Sequence, residues 1–133
     1  MRLFFYGTLR DEDVLAYVAG QGGARLALRS ARAPGWQAVY ARGKPYPVLV
    51  RAPGRAAPGI VTEVADTKVL RRLKAFEVRY RLVQIAVQSD EWTDTAWVFL
   101  PGRRLRAGML PFALDTWRRR FKTAFLRRIR RRF

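Results

Sequence analysis

The chain has no cysteine and no histidine. Together these absences remove disulfides, thiol nucleophiles, zinc sites of the usual kind and every Ser-His-Asp or Cys-His arrangement. Any chemistry must be carried by carboxylates, hydroxyls, amines, guanidinium groups or the backbone. Acids are scarce as well, ten against 27 Lys and Arg, which sets the formal net charge at +17. Long apolar runs are missing. The stretch from Leu3 to Leu9 is broken by Gly7 and closed by Arg10-Asp11, too short for a secretory signal, and no other segment reaches the roughly 20 residues that cross a bilayer. The expectation is a soluble, cytoplasmic protein.

What is present suffices for one core. With 133 residues, half of them apolar, the chain is expected to form a single domain, 1–133, without a structural metal. The positive charge is uneven: residues 115–133 hold nine Lys or Arg against one acid. Such a segment is either a solvated helix face or a contact for a polyanion, nucleic acid or an anionic membrane.

The apolar pattern predicts a mixture of strands and helices. Arg2 to Tyr6 reads as a strand, and Asp11-Glu12-Asp13 as the start of a helix with the stripe Val14, Leu15, Val18, ended by Gly20, Gly22 and Gly23. Ala24 to Ala33, Trp36 to Ala41 and Pro47 to Arg51 read as three strands. Arg51 to Pro58, with two Pro and one Gly, reads as a loop, and Gly59 to Val64 as another strand. Asp66 caps a short helix whose Val69, Leu70, Leu73 and Phe76 share one face. Tyr80 to Val87 and Thr95 to Leu100 form a hairpin around Ser89-Asp90-Glu91. A basic loop then leads to Asp115, expected to cap a final helix of about 115–133 in which Trp117, Phe121 and Phe125 recur every four residues. The core is placed before residue 126.

Without histidine and cysteine, carboxylates are the leading candidates for general acid and base. Asp11, Glu12, Asp13, Asp66 and Asp115 lie at helix starts, where capping accounts for them, and Asp90, Glu91 and Asp94 lie at a hairpin turn. Two remain: Glu63, within the strand GIVTEV, and Glu77, between the helix LRRLKAF and the strand from Tyr80. Either is placed for partial burial, which raises a carboxyl pKa toward the neutral range. Either is also explained by pairing with one of the many arginines. Composition does not choose between them.

Phe5-Tyr6-Gly7-Thr8-Leu9-Arg10 resembles the YG(S/T)L loop of the gamma-glutamylcyclotransferase-like superfamily, which includes the avirulence-induced-gene proteins and the gamma-glutamylamine cyclotransferases. In the family's order there follow KPYPVLV, similar to its Tyr-Pro strand, GIVTEV, similar to its Gly-x-Val-x-Glu-Val strand, LRRLKAFEVRYRLVQIAV, similar to its helix, catalytic Glu and Tyr-x-Arg strand, and DTAWVFLP, similar to the next strand. DTWRRRFKTAFL resembles the carboxyl-terminal helix of some bacterial members. Two positions depart from the pattern: Lys74 stands where Leu-Asp is common, and Val78 where Glu-Gly is.

The resemblance implies an α+β fold, a mixed barrel-like sheet with flanking helices, and a cavity between the first strand's end and the acidic helix. It implies cyclisation of a gamma-glutamyl compound, in which the alpha-amine attacks the side-chain carbonyl and releases 5-oxoproline and an amine. Glu77 would be the general acid and base. Tyr6, Gly7, Thr8, Leu9 and Tyr80 would bind substrate, the amides of Gly7 to Leu9 as an anion nest and the tyrosines as polar-tipped walls. Neither metal nor cofactor is expected, and the positive field favours anionic gamma-glutamyl substrates such as glutathione. The alternative is a non-catalytic binding protein on the same scaffold, using its basic C-terminal helix for weak contact with nucleic acid or an anionic membrane.

Overall fold

In the computed structural model residues 1–132 are described; Phe133, the end of the predicted final helix, and the side chain of Arg132 lie outside the described residues. Six strands form one sheet: β1 (Arg2–Phe5), β2 (Arg29–Ala41), β3 (Pro47–Glu63), β4 (Tyr80–Gln88), β5 (Thr93–Pro101) and β6 (Ala107–Pro111). Their order is β3-β1-β5-β4-β2-β6, and a second pairing of β3 with β2 closes the first five of that row into a barrel. Antiparallel pairing prevails, with one parallel contact at Leu3 and Trp97, between β1 and β5. Around the barrel lie α1 (Glu12–Ala19), α2 (Thr67–Phe76), α3 (Leu114–Arg120) and α4 (Lys122–Arg132). This is the mixed, barrel-like α+β architecture that the sequence led us to expect. No helix among the described residues is long and apolar enough to cross a membrane.

Four predicted elements merge into two. Ala24 and Arg25 belong to a 3-10 segment, Gly20–Arg25, and the two strands expected on either side of Pro34-Gly35 form the single strand β2. Likewise the predicted loop from Arg51 to Pro58 is continuous strand within β3, seventeen residues long. Gly35 (φ 82°) and Gly54 (φ 83°) lie across from one another in the stretch where the register jumps from Pro34↔Ala56 to Trp36↔Arg51. Left-handed glycines there let the ribbon bulge and bend without ending, so the Pro-Gly signals mark a bend in a long ribbon. Strand β6 was read as loop; it joins the sheet by two pairs with β2, Val39↔Pro111 and Ala41↔Ala107.

The predicted C-terminal helix also needs revision. Ala113, whose side chain caps nothing, precedes α3, so Asp115 sits in the first turn and is not the cap. Phe121 (φ −123°, ψ −21°) separates α3 from α4. The aromatic spacing nevertheless marks a buried face: Trp117 is fully buried and donates its indole N–H to Pro45 C=O at 2.7 Å, and Phe125 packs edge-on against it with centroids 5.4 Å apart. Ile129 is buried in the same cluster, so the core extends past residue 126. Burying side chains of this size contributes about 1.5–3 kcal/mol each, enough to hold the segment on the barrel.

What orients that segment is Asp11, whose side chain is fully buried. Oδ1 accepts the amides of Asp13 (3.0 Å) and Val14 (3.1 Å), capping α1 as the sequence suggested. Oδ2 meets Arg118 Nε at 2.9 Å and Lys122 Nζ at 3.0 Å, and Lys122 also reaches Asp13 Oδ2 at 2.7 Å. Burial by itself would raise the pKa of Asp11; the hydrogen bonds from Arg118, Lys122 and the Val14 amide outweigh it and hold the carboxyl below its ordinary value. Asp11→Ala removes a cap and leaves two cations without their shared partner. We expect it to cost about 2–4 kcal/mol in urea unfolding at neutral pH.

Candidate active site

The helix α2 begins at Asp66, whose Oδ1 accepts the amides of Lys68 and Val69, and ends at Glu77. Val69 and Leu73 bury its apolar face, and Leu70 and Phe76 pack against the same core. Glu77 is the C-cap residue. Its N–H donates to Leu73 C=O and its C=O accepts from Tyr80 N–H, both at 3.0 Å, so a tight turn carries the chain straight into β4. Two consecutive backbone constraints thus fix Glu77, the one glutamate among the described residues that is not exposed.

Glu77 opens onto a cavity of about 220 Å³ between the end of β1, the start of β3, the α2–β4 turn and α4. Tyr6, Gly7, Thr8, Leu9 and Tyr80, all predicted to bind substrate, line this cavity with Glu77. At its β1 end, Thr8–Arg10 form a 3-10 turn whose first bond runs from Arg10 N–H to Gly7 C=O at 3.0 Å. The amides of Thr8 and Leu9 precede that bond and have no acceptor within the turn. The absence of a side chain at Gly7 is required, because a Cβ there would lie 2.7 Å from Cγ of Pro47.

The two tyrosines are committed as donors. Tyr6 Oη donates to Phe99 C=O at 2.6 Å, and Tyr80 Oη to Pro47 C=O at 2.7 Å. Each therefore keeps only lone pairs to offer a ligand. Burial foremost, and then the nearby Glu77, push both phenols well above their ordinary pKa, so neither ionises near neutrality. Burial also pushes the Glu77 carboxyl up, to about 8. Its place at the C-terminal end of α2 works in the same sense, since that end of a helix disfavours negative charge. The cavity accordingly holds one group able to exchange a proton near pH 7 to 8.

Glu63 takes the other course. It is mostly exposed and meets Arg2 Nε through Oε1 at 2.9 Å, the arginine pairing that its strand position allowed. Of the two departures from the expected motif, Lys74 is exposed on α2 outside the cavity lining, and Val78 is an exposed residue of the cavity rim. Sequence reasoning missed Lys44, Tyr46, Arg79 and Arg128, which also line the cavity. Tyr46, in the Tyr-Pro stretch, and Arg79, two residues after Glu77, carried a local signal. Arg128 enters because α4 packs across the mouth, which no periodicity in the helix itself reveals.

A family model described as gamma-glutamyl cyclotransferase, AIG2-like, matches residues 3–119. The chain belongs to that family. No curated protein sequence matches it. Among solved structures, an Arabidopsis thaliana protein determined in solution is 21% identical with a TM-score of 0.67, the match covering 96% of this chain and 87% of that one. An AIG2-like protein of Mus musculus is 22% identical with a TM-score of 0.59, covering 84% and 87%. A gamma-glutamyl cyclotransferase is 15% identical with a TM-score of 0.61, covering 80% and 68%. At these identities the likeness establishes the cyclotransferase-family fold.

The raised pKa of Glu77 predicts a specific pH dependence of stability. The native state keeps the proton between about 4.5 and about 8, a range in which the unfolded chain has already released it. Stability is therefore lost on this account as pH rises through that window, with the full penalty above about 8. Glu77→Gln removes the titration. In urea unfolding the variant should match the parent near pH 4 and exceed it at pH 9.

Proposed function

We propose that this protein is a gamma-glutamylcyclotransferase that converts a gamma-glutamyl compound to 5-oxoproline and a free amine, with Glu77 as the general acid and base. The observation that carries the proposal is the half-buried Glu77 carboxyl lining one small cavity together with the β1 turn, whose Thr8 and Leu9 amides have no acceptor within the turn. Family membership supports the same reading.

The substrate's alpha-amine arrives as an ammonium and has no lone pair for attack. Glu77 in its ionised form takes one proton. Raising the carboxyl from about 4.5 to about 8 removes about 5 kcal/mol from the uphill transfer of that proton. The freed amine attacks the gamma-carbonyl carbon, the new C–N bond closing a five-membered ring. Because this attack is intramolecular, a cavity that folds the glutamyl chain draws on effective molarities of about 10⁵ M or more. Negative charge grows on the carbonyl oxygen, and the amides of Thr8 and Leu9 are the donors suited to it or to the substrate's alpha-carboxylate. Collapse of the tetrahedral centre breaks the original amide C–N bond. Glu77 returns its proton to the leaving nitrogen, and the second proton of the ring nitrogen also passes to the departing amine, which leaves as an ammonium, so the carboxylate ends as it began.

Tyr6 and Tyr80, with their protons engaged by backbone carbonyls, are suited to accept hydrogen bonds from the ammonium. The binding-only alternative has less behind it. Phe125 and Ile129 bury the apolar face of α4 in the core, and Lys122 and Arg118 are already paired with Asp11, so the helix is docked and part of its charge is neutralised.

Two measurements test the reading. In 5-oxoproline release from a panel of gamma-glutamyl compounds, Glu77→Gln should lower kcat by about 10²-fold or more with substrate binding retained, while Glu63→Gln should change turnover little. In the same assay Gly7→Val, which forces a side chain against Pro47 and displaces the turn, should lose far more activity than Thr8→Ala, which leaves the amides in place. Equal losses in folded Gly7 and Thr8 variants would assign the work to the threonine hydroxyl.

A further inference from the structure

The cavity's charge is lopsided. Lys44, Arg79 and Arg128 line it, and Glu77 is the one acid among its lining residues. None of the three cations forms an ion pair among the described residues; Arg79 instead donates from a guanidinium nitrogen to Tyr46 Oη at 3.2 Å. A positive excess of this size exceeds what a single substrate carboxylate needs.

The placement of the cations divides them. Arg79 belongs to the α2–β4 turn beside Glu77. Lys44, from the β2–β3 turn, and Arg128, from α4, line both this cavity and an adjoining trough walled by Tyr40, Met109, Leu110 and Phe121. Those two residues therefore stand at the boundary between the two spaces. With the gamma-glutamyl group in the cavity that Glu77 lines, its alpha-amine against Glu77, a leaving amine directed away from Glu77 into the adjoining trough passes that boundary. The trough gives a leaving group room, and the boundary gives it two cations.

From this juxtaposition we infer that Lys44 and Arg128 determine leaving-group specificity, recognising a carboxylate on the departing amine, so that gamma-glutamyl amino acids are preferred over gamma-glutamyl alkylamines. The inference rests on the cyclotransferase reading and deepens it. It also gives one residue of the basic C-terminal helix a task in the site, since Arg128 lies one turn beyond the buried Phe125 and next to the buried Ile129, which fix α4 across the mouth. Both cations are exposed, so their attraction is screened and modest, worth about tenfold together and weakened by salt.

The test compares gamma-glutamyl-alanine with gamma-glutamyl-ethylamine, which differ only by the leaving group's carboxylate. In 5-oxoproline release at low salt, the intact protein should favour the alanine compound by about tenfold in kcat/KM, with the difference residing in KM. Arg128→Gln and Lys44→Gln should each shrink that ratio, the double variant should bring it near one, and Arg128→Lys should keep most of it. Raising the salt to 0.5 M should compress the ratio in the parent, since the Debye length falls from about 10 Å at 0.1 M toward about 3 Å at 1 M. Equal kcat/KM for the two compounds, or a ratio that the Gln variants leave untouched, overturns the specificity assignment while leaving the cyclotransferase reading standing. Turnover of neither compound, nor of any other gamma-glutamyl compound, overturns both.

Discussion

One buried carboxylate joins the two ends of this chain. Asp11 spends one oxygen on the amides that begin α1 and the other on Arg118 and Lys122, the residues on either side of the break between α3 and α4. Since a buried charge is tolerated only when paired and hydrogen-bonded, its burial commits the C-terminal segment to lie beside the first helix. The site depends on that commitment. With α3 and α4 held there, Trp117 reaches Pro45, Phe125 meets Phe76 at the end of α2, and Arg128 and Ile129 close one wall of the cavity.

The same packing accounts for the chemistry of Glu77. A carboxyl at the end of a helix and open to water would titrate as any glutamate does. Here Phe76 and Phe125 meet edge to face in the same cavity wall, Tyr6 and Tyr80 line it as well, and both phenols already donate their hydrogen bonds to backbone carbonyls. No arginine is paired with Glu77 among the described residues, in a molecule with an excess of arginine. A group that is half-buried, without an ion pair among the described residues and flanked by acceptors favours its protonated form, and a carboxyl so poised is matched to an ammonium as proton donor. The positive charge lies instead at the rim, where it draws anions in without cancelling the base.

Much of this was legible in the residues. Asp11 and Asp66 announced the helix starts, the face Val69, Leu73 and Phe76 announced α2, and sorting ten acids by context left Glu63 and Glu77, of which the YGTL and FEVRY stretches selected the second. The long ribbon of β2 and β3 was misread because Pro34-Gly35 and Pro53-Gly54 are turn signals locally; only their position opposite one another in the pairing makes them a shared bend. Strand β6 escaped because AGMLP has neither alternation nor β-branched residues, and its place follows from the edge that β2 offers. The rim cations were invisible for a further reason. Lys44 and Arg128 are far apart in sequence, each is one of 27 basic residues, and nothing but the packing of α4 tells them from the rest.

The central claim is that Glu77 holds its proton into the neutral range and exchanges it with the substrate amine. Carboxyl-labelled glutamate followed by carbon NMR across pH tests it directly, since the chain has four glutamates to resolve. On this account one signal titrates near pH 8, is missing from the Glu77→Gln spectrum, and shifts to lower pH when a gamma-glutamyl compound brings its ammonium alongside. Four glutamates all titrating between about 4 and 5, unmoved by the ligand, would contradict it.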